Sequence, residues 1–359
     1  MNILVVGPHF PDSFARNIAV TLAAMGHAVK CAGVRHGLHN MGRLGRFFWT
    51  NAPKILPSLE IWRHDEMIRA ARDFQPDMVL ATTAAFPPEL VRRLRSASAA
   101  QLVCWYTDPT ANLDRLYLLA GPYDAIFAKE PTLVSTLRDK LGLPAHYLPE
   151  ACNPIWHKRV EVTEEQRSRF ACDIAGIGTL HYYRARILEP FVGYDLKIWG
   201  NNCPVWMDSP ARQAYANVFL AEHTKAAALR CAKIVINTIY LLDVEGVNCT
   251  LFEAAGCGAF QIADWRPALP ELFEPEREIV TFRTRSELKE KVEYYLSHAE
   301  ERGAMARRAQ QRAHRDHSYE ARLKRMFQIL GLHPTPVQAE FDHPSFPASS
   351  RRLEIRSQA

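Results

Sequence analysis

Apolar and polar positions alternate along this chain at two periods, and the switches between them mark out its elements. "NILVVG" is a short apolar run ending at Gly7. "FARNIAVTLAAMGHAV" follows with the spacing of an amphipathic helix, stops at Gly26 and passes into a second apolar run. Such a β-α-β opening is the usual start of a parallel sheet. Strand-like runs recur at 77–83, 101–108, 124–129 and 145–150, with helical spacing at 60–74, 88–97 and 131–140. The pattern predicts one doubly wound α/β domain over residues 1–155.

Residues 153–170 are polar and charged, which predicts a linker. The alternation then restarts. Strands are expected at 172–179, 196–200, 232–238, 259–264 and 278–282, with helices near 211–230, 247–255, 285–297 and 302–330. That predicts a second domain over 156–332. Residues 333–359 are rich in Pro and Ser and lack periodicity, so a mobile tail is expected; the alternative is a segment packed back over the first domain. The expected fold class is α/β, two Rossmann-like domains facing a cleft, because ligands bind at the carboxyl ends of parallel strands.

Composition narrows the class. Of 359 residues, 48% are hydrophobic and 23% charged, as in an ordinary globular protein with room for about two cores. The net charge of +5 suits anionic ligands but is too weak to argue for nucleic acid. The eight cysteines are scattered without a C-x-x-C pair, which reads as reduced thiols in a cytoplasmic protein. No apolar run reaches the length of a membrane span, and the first residues lack a signal-peptide pattern.

The stretch "EGVNCTLFEAAGCGAF" (245–260) carries the candidate chemistry. A strand is expected before it, and a helix is expected to start near Val247 or Asn248, with Gly246 and Asn248 suited to that start. Exposed N–H groups and the positive dipole end there favour a diphosphate. Eight helical residues rise about 12 Å and turn only about 80° from the starting direction. Glu245 and Glu253 would then flank a bound diphosphate, each a good acceptor for sugar hydroxyls. Two unrelated surface acids are the bland alternative. Ala254, Ala255 and Gly256 would allow close packing on the sheet, with Gly256 or Gly258 ending the helix.

This stretch resembles the Glu-x7-Glu segment of retaining GT-B glycosyltransferases, and more closely the spore-maturation-protein (CgeB-like) group. The resemblance covers most of 1–330, through "WYTDP" (105–109), "YLPEACNP" (147–154), "DIAGIGTLHYYRARIL" (173–188), "LKIWG" (196–200), "EHTKAAALRCAKIVINT" (222–238) and "DHSYEARLKRMF" (316–327). It implies a nucleotide-sugar donor, with a UDP-sugar as the default, on the second domain. It implies a glycan, lipid-linked or small-molecule acceptor on the first. By resemblance, Glu253 meets the ribose, Glu245 and the backbone of Gly246, Val247 and Asn248 meet the donor sugar or diphosphate, and Arg184 meets the diphosphate. The group often has an arginine within the Asn-x-Arg before its Phe-Glu pair; "NCTLFE" lacks it, so Arg184 or Lys225 is expected to supply that contact.

Other candidates follow from position. Asn237 ends a predicted strand, while Gly178 and Thr179 belong to "GIGTLH", half of a dinucleotide fingerprint. Asp108 also ends a strand, and reads either as a general base toward an acceptor hydroxyl or as a turn cap before Pro109. No Asp-x-Asp occurs, so no metal is expected. His314 and His317 read as part of a solvated basic helix. Residues 34–54 hold Arg35, Arg43, Arg46 and Lys54 with Phe47, Phe48 and Trp49. They read either as a peripheral contact with an anionic membrane or lipid-linked acceptor, or as a basic loop anchored in the core. The expected function is metal-independent, retaining glycosyl transfer. A nucleotide-sugar epimerase and a binding scaffold without turnover are the alternatives. A nicotinamide-dependent oxidoreductase lacks its glycine fingerprint in "VVGPHF".

Overall fold

The computed structural model describes residues 1–33, 45, 51–52, 55–84, 86–201 and 203–333. The basic-aromatic stretch in 34–54 and the Pro/Ser-rich tail therefore fall almost wholly outside the described residues. The described strands lie in two sheets, of six and five strands, and their pairings are parallel. Contacts divide the described residues into two units, Met1–Trp105 with Arg115–Ala125, and Tyr106–Asp114 with Ile126–His333.

The first unit opens with β1 (Asn2–Val6), α1 (Phe14–Ala24) and β2 (Ala28–Ala32), as its periodicity predicts. Ser13 caps α1 by accepting the Arg16 N–H at 3.2 Å. Then come α2 (Asp65–Phe74), β3 (Met78–Ala81), α3 (Pro88–Ala97) and β4 (Gln101–Tyr106). The strands run β2-β1-β3-β4, with Ile3 opposite Met78 and Met78 opposite Gln101. Ile3, Leu4, Val5 and Val6 are wholly buried, the mark of a strand covered on both faces.

The second unit contains β5 (Ala125–Ala128, from its second residue) and β6 (Ala145–Tyr147), paired with Ile126 opposite Ala145. Its five-stranded sheet holds β7 (Cys172–Ile177), β8 (Leu196–Trp199), β9 (Ala232–Asn237), β10 (Gln261–Asp264) and β11 (Val280–Phe282), in the order β11-β10-β9-β7-β8. Around it lie α4 (Tyr182–Leu188), α5 (Glu222–Cys231), α6 (Cys249–Gly256), α7 (Arg285–Ser297), α8 (Ala299–Asp316) and α9 (Tyr319–Ile329). Helix α6 is buried on two sides: Leu251, Phe252 and Ala255 join one apolar cluster, Ala254 another.

Several expectations need correction. The segment from 153, expected as a linker, includes the buried Asn153, Trp156 and His157, and only Glu164–Phe170 forms a helix. The helix expected over 211–230 begins at Glu222, because Tyr215 bridges to Ile198 and the Ala216 N–H donates to its carbonyl. The helix expected over 302–330 breaks at His317–Ser318, where Cys152 inserts: its N–H donates to His317 O and its carbonyl accepts from the Tyr319 N–H. His317 is accordingly not solvated. It is 5% exposed, receives Arg322 Nη2 on Nδ1 at 2.9 Å and donates from Nε2 to Leu272 O. Burial first, then Arg322, holds its imidazole down at about 4. Four of the eight cysteines (Cys104, Cys152, Cys172, Cys257) are buried and the other four partly so, all free thiols.

Candidate functional site

Parallel strands place their carboxyl ends along one edge, so β7, β8 and β9 deliver Gly178, Gly200 and Thr238 together. Gly178 has φ +110°, a conformation that favours glycine, and a Cβ on it would stand 2.7 Å from Arg184 Nη1. Gly200 is equally constrained: a Cβ there would lie 2.3 Å from Gly178 O. Gly178 thus makes room for the guanidinium of Arg184, which projects from the first turn of α4, and Gly200 lets β8 approach that turn.

Arg184 is 8% exposed. Its Nε donates to Thr238 Oγ1 at 2.8 Å and its Nη1 to Thr179 O at 2.5 Å. Among the described residues no carboxylate pairs with it. Burial pulls the guanidinium down to about 10, so it remains charged at neutral pH. A buried cation without an anion is costly, and this one faces the start of α6. There Asn248, the N-cap, accepts the Leu251 N–H at 3.2 Å and donates to Thr238 O at 3.3 Å. Asn237 and Asn248 exchange side-chain hydrogen bonds of 3.1 and 2.9 Å. With Leu251 capped, the N–H groups of Cys249 and Thr250 in the first turn have no intrahelical acceptor.

The two glutamates differ. Glu253, 4% exposed, pairs through Oε2 with Lys225 Nζ at 3.0 Å, and its Oε1 lies 3.9 Å from His157 Nε2. The Glu245 side chain is half-buried and has no hydrogen-bond or ion-pair partner among the described residues. Lys225 therefore neutralises a carboxylate, whereas Arg184 has no carboxylate beside it among the described residues. Gly246 also departs from expectation. Its N–H, expected at the diphosphate, donates instead to Glu130 Oε2 at 3.0 Å. The helix runs from Cys249 with Asn248 as its N-cap, the later of the two expected starts, and the Val247 side chain is wholly buried in the core. Gly256 packs not on the sheet but against the 152–157 segment, where a Cβ would meet His157 O at 2.9 Å.

Sequence reasoning passed over a second group of charges. Lys129, 4% exposed, lies 3.2 Å from Asp243 Oδ2 and 3.8 Å from Glu150 Oε2. Burial lowers its ammonium, but Glu150 and Asp243 outweigh that and raise it. Burial lifts the Glu150 carboxyl to about 8, with Lys129 opposing and Glu253, Asp108 and Asp243 adding to the rise. Asp108 keeps solvent access, yet the protein around it desolvates its carboxyl and raises it, against the pull of Lys129. The readable signal was "AKE" at the end of an apolar strand, where charged residues face a binding edge.

Residues 184–328 match the family model described as glycosyl transferase-like, a match that begins at the buried arginine. In fold the chain is similar to sucrose-phosphate synthase from Thermosynechococcus elongatus (TM-score 0.63, 13% identity, 92% of this chain and 98% of that one). It is similar to a glycosyltransferase from Rickettsia africae ESF-5 (0.60, 12%, 92% and 98%). It is also similar to Anabaena Alr3699/HepE, solved in complex with UDP (0.62, 13%, 92% and 100%). No curated protein matches the sequence significantly. The fold is thus GT-B, two parallel-sheet α/β domains, with a glycosyltransferase-type segment in the second unit.

Proposed function

From that scaffold and segment, we propose that the protein is a glycosyltransferase that moves a sugar from a nucleotide-sugar donor to a hydroxyl-bearing acceptor. The observation that carries this is Arg184, a buried guanidinium beside the start of α6 that has no acidic partner among the described residues. A diphosphate matches it in charge, and the first-turn N–H groups add donors. Cleavage of a nucleotide-sugar bond leaves negative charge on the departing phosphate. Fixed positive charge at that point stabilises it without a divalent ion.

In this reading the donor sugar meets the unpartnered carboxylate of Glu245. Its ribose meets Glu253, whose lone pairs are only partly used by Lys225. Asn237 and Asn248 hold the helix start; Gly178 and Thr179 hold the arginine. Asp108 takes the acceptor's proton, its raised carboxyl being nearer the range a general base needs. The retaining course and the CgeB-like grouping rest on the Glu245-x7-Glu253 resemblance alone. A UDP-sugar remains the first donor to try, since the similar Anabaena protein was solved with UDP. Among the described residues no helix is long and apolar enough to cross a membrane.

A thermal-shift panel of UDP-, GDP-, dTDP- and CMP-sugars tests the reading, because a ligand bound by the native state raises its apparent stability. One class is expected to raise the midpoint in wild type and not in Arg184→Met. A panel without any shift contradicts the reading.

A further inference from the structure

Glu130 follows β5 and has no role in the reading above. It is 2% exposed, and no cation pairs with it among the described residues. Its two oxygens instead accept two consecutive backbone N–H groups, Glu245 at 2.9 Å and Gly246 at 3.0 Å. A buried carboxylate is tolerated when hydrogen bonds replace its water. Gly246 is shaped to this contact: a Cβ there would stand 2.6 Å from Lys129 O and 3.0 Å from Glu130 Oε2.

The same loop is anchored on other sides. Asp243 Oδ2 receives Lys129 Nζ at 3.2 Å, Arg266 Nε donates to Asp243 O at 2.8 Å, and the Ala268 N–H donates to Glu245 O at 3.1 Å. The backbone of Glu245 is therefore held at both its N–H and its carbonyl, while its side chain is left without a partner. A rigid backbone under an unengaged carboxylate is how a protein preorganises a ligand-binding group.

We propose that Glu130 is a positioning residue that aims the Glu245 carboxylate at the sugar half of the donor. The inference rests on the donor reading above, and it concerns the sugar increment of affinity rather than the nucleotide. Glutamine at 130 keeps the volume but turns an NH2 toward one of the two N–H donors, which spoils the paired contact.

Calorimetry on the full chain with matched ligands separates the cases: UDP against UDP-glucose, GDP against GDP-mannose, dTDP against dTDP-glucose. Wild type is expected to bind the sugar nucleotide more tightly in one pair. Glu130→Gln should cut that difference at least fivefold while the nucleotide itself stays within twofold. Glu245→Ala should remove the difference, and adding Glu130→Gln to it should change nothing further. If wild type shows no difference in any pair, the inference falls with the donor assignment to Glu245. If wild type shows one and Glu130→Gln keeps it, or weakens both ligands equally, only the role of Glu130 is overturned.

Discussion

Arg184 keeps its charge in a place that opposes charge, and among the described residues no carboxylate pairs with it. Apolar replacement of a buried unpaired cation is expected to be neutral or stabilising. Arg184→Met should therefore raise the melting temperature of the unliganded protein while weakening nucleotide-diphosphate binding about 10- to 100-fold, the worth of one or two charge-assisted hydrogen bonds. Calorimetry and thermal unfolding on the same sample check both halves. Glu253 behaves oppositely. Removing its carboxylate breaks its buried ion pair with Lys225, a loss of about 3–5 kcal/mol. Glu253→Gln, which keeps an acceptor, is the better test of ribose binding than Glu253→Ala, and should weaken nucleotide binding with less damage to folding. Glu150 sets a pH dependence. Its carboxyl is raised to about 8 in the fold, so its contribution is fully present below the usual carboxylate range and is lost as pH rises toward 8. Melting of Glu150→Gln against wild type should show a gap in the variant's favour that widens from pH 5 to pH 8.5; a constant gap refutes it. Glu245, Glu253 and Arg184 could be singled out because they sit in the stretches that carry the resemblance. Lys129, Glu130 and Glu150 were passed over: charged residues at a strand end can be noticed in the sequence, but only tertiary packing shows that these are buried.

At the scale of elements, the sheet strands and the helices over 88–97 and 285–297 could be read from periodicity. They sit where local preference and tertiary contacts agree. The misread helices are places where another segment intervenes: Ala216 bonding to Ile198, and Cys152 entering between α8 and α9. Gly200 was seen only as a strand end, yet it fixes how closely β8 approaches the turn after β7. Gly200→Ala would force a Cβ to within 2.3 Å of Gly178 O and 2.6 Å of the Tyr215 hydroxyl. We expect a loss of about 1–3 kcal/mol from such overpacking, read as a lower urea midpoint, together with weaker nucleotide binding because Gly178 makes room for Arg184. A substitution neutral in both would show that this edge yields more easily than its contacts imply.

For the molecule as a whole, the two parallel-sheet domains set the fold class, and the segment from 184 to 328 matches a glycosyl transferase-like family model. On the proposed function, an activated sugar is gripped by its diphosphate between Arg184 and the start of α6. A crystal structure of the full chain with the nucleotide sugar that most raises its melting temperature tests this most directly. Diphosphate oxygens are expected within hydrogen-bond distance of the Arg184 guanidinium and of the Cys249 or Thr250 N–H. A diphosphate bound elsewhere, with Arg184 still joined only to Thr179 and Thr238, would contradict it.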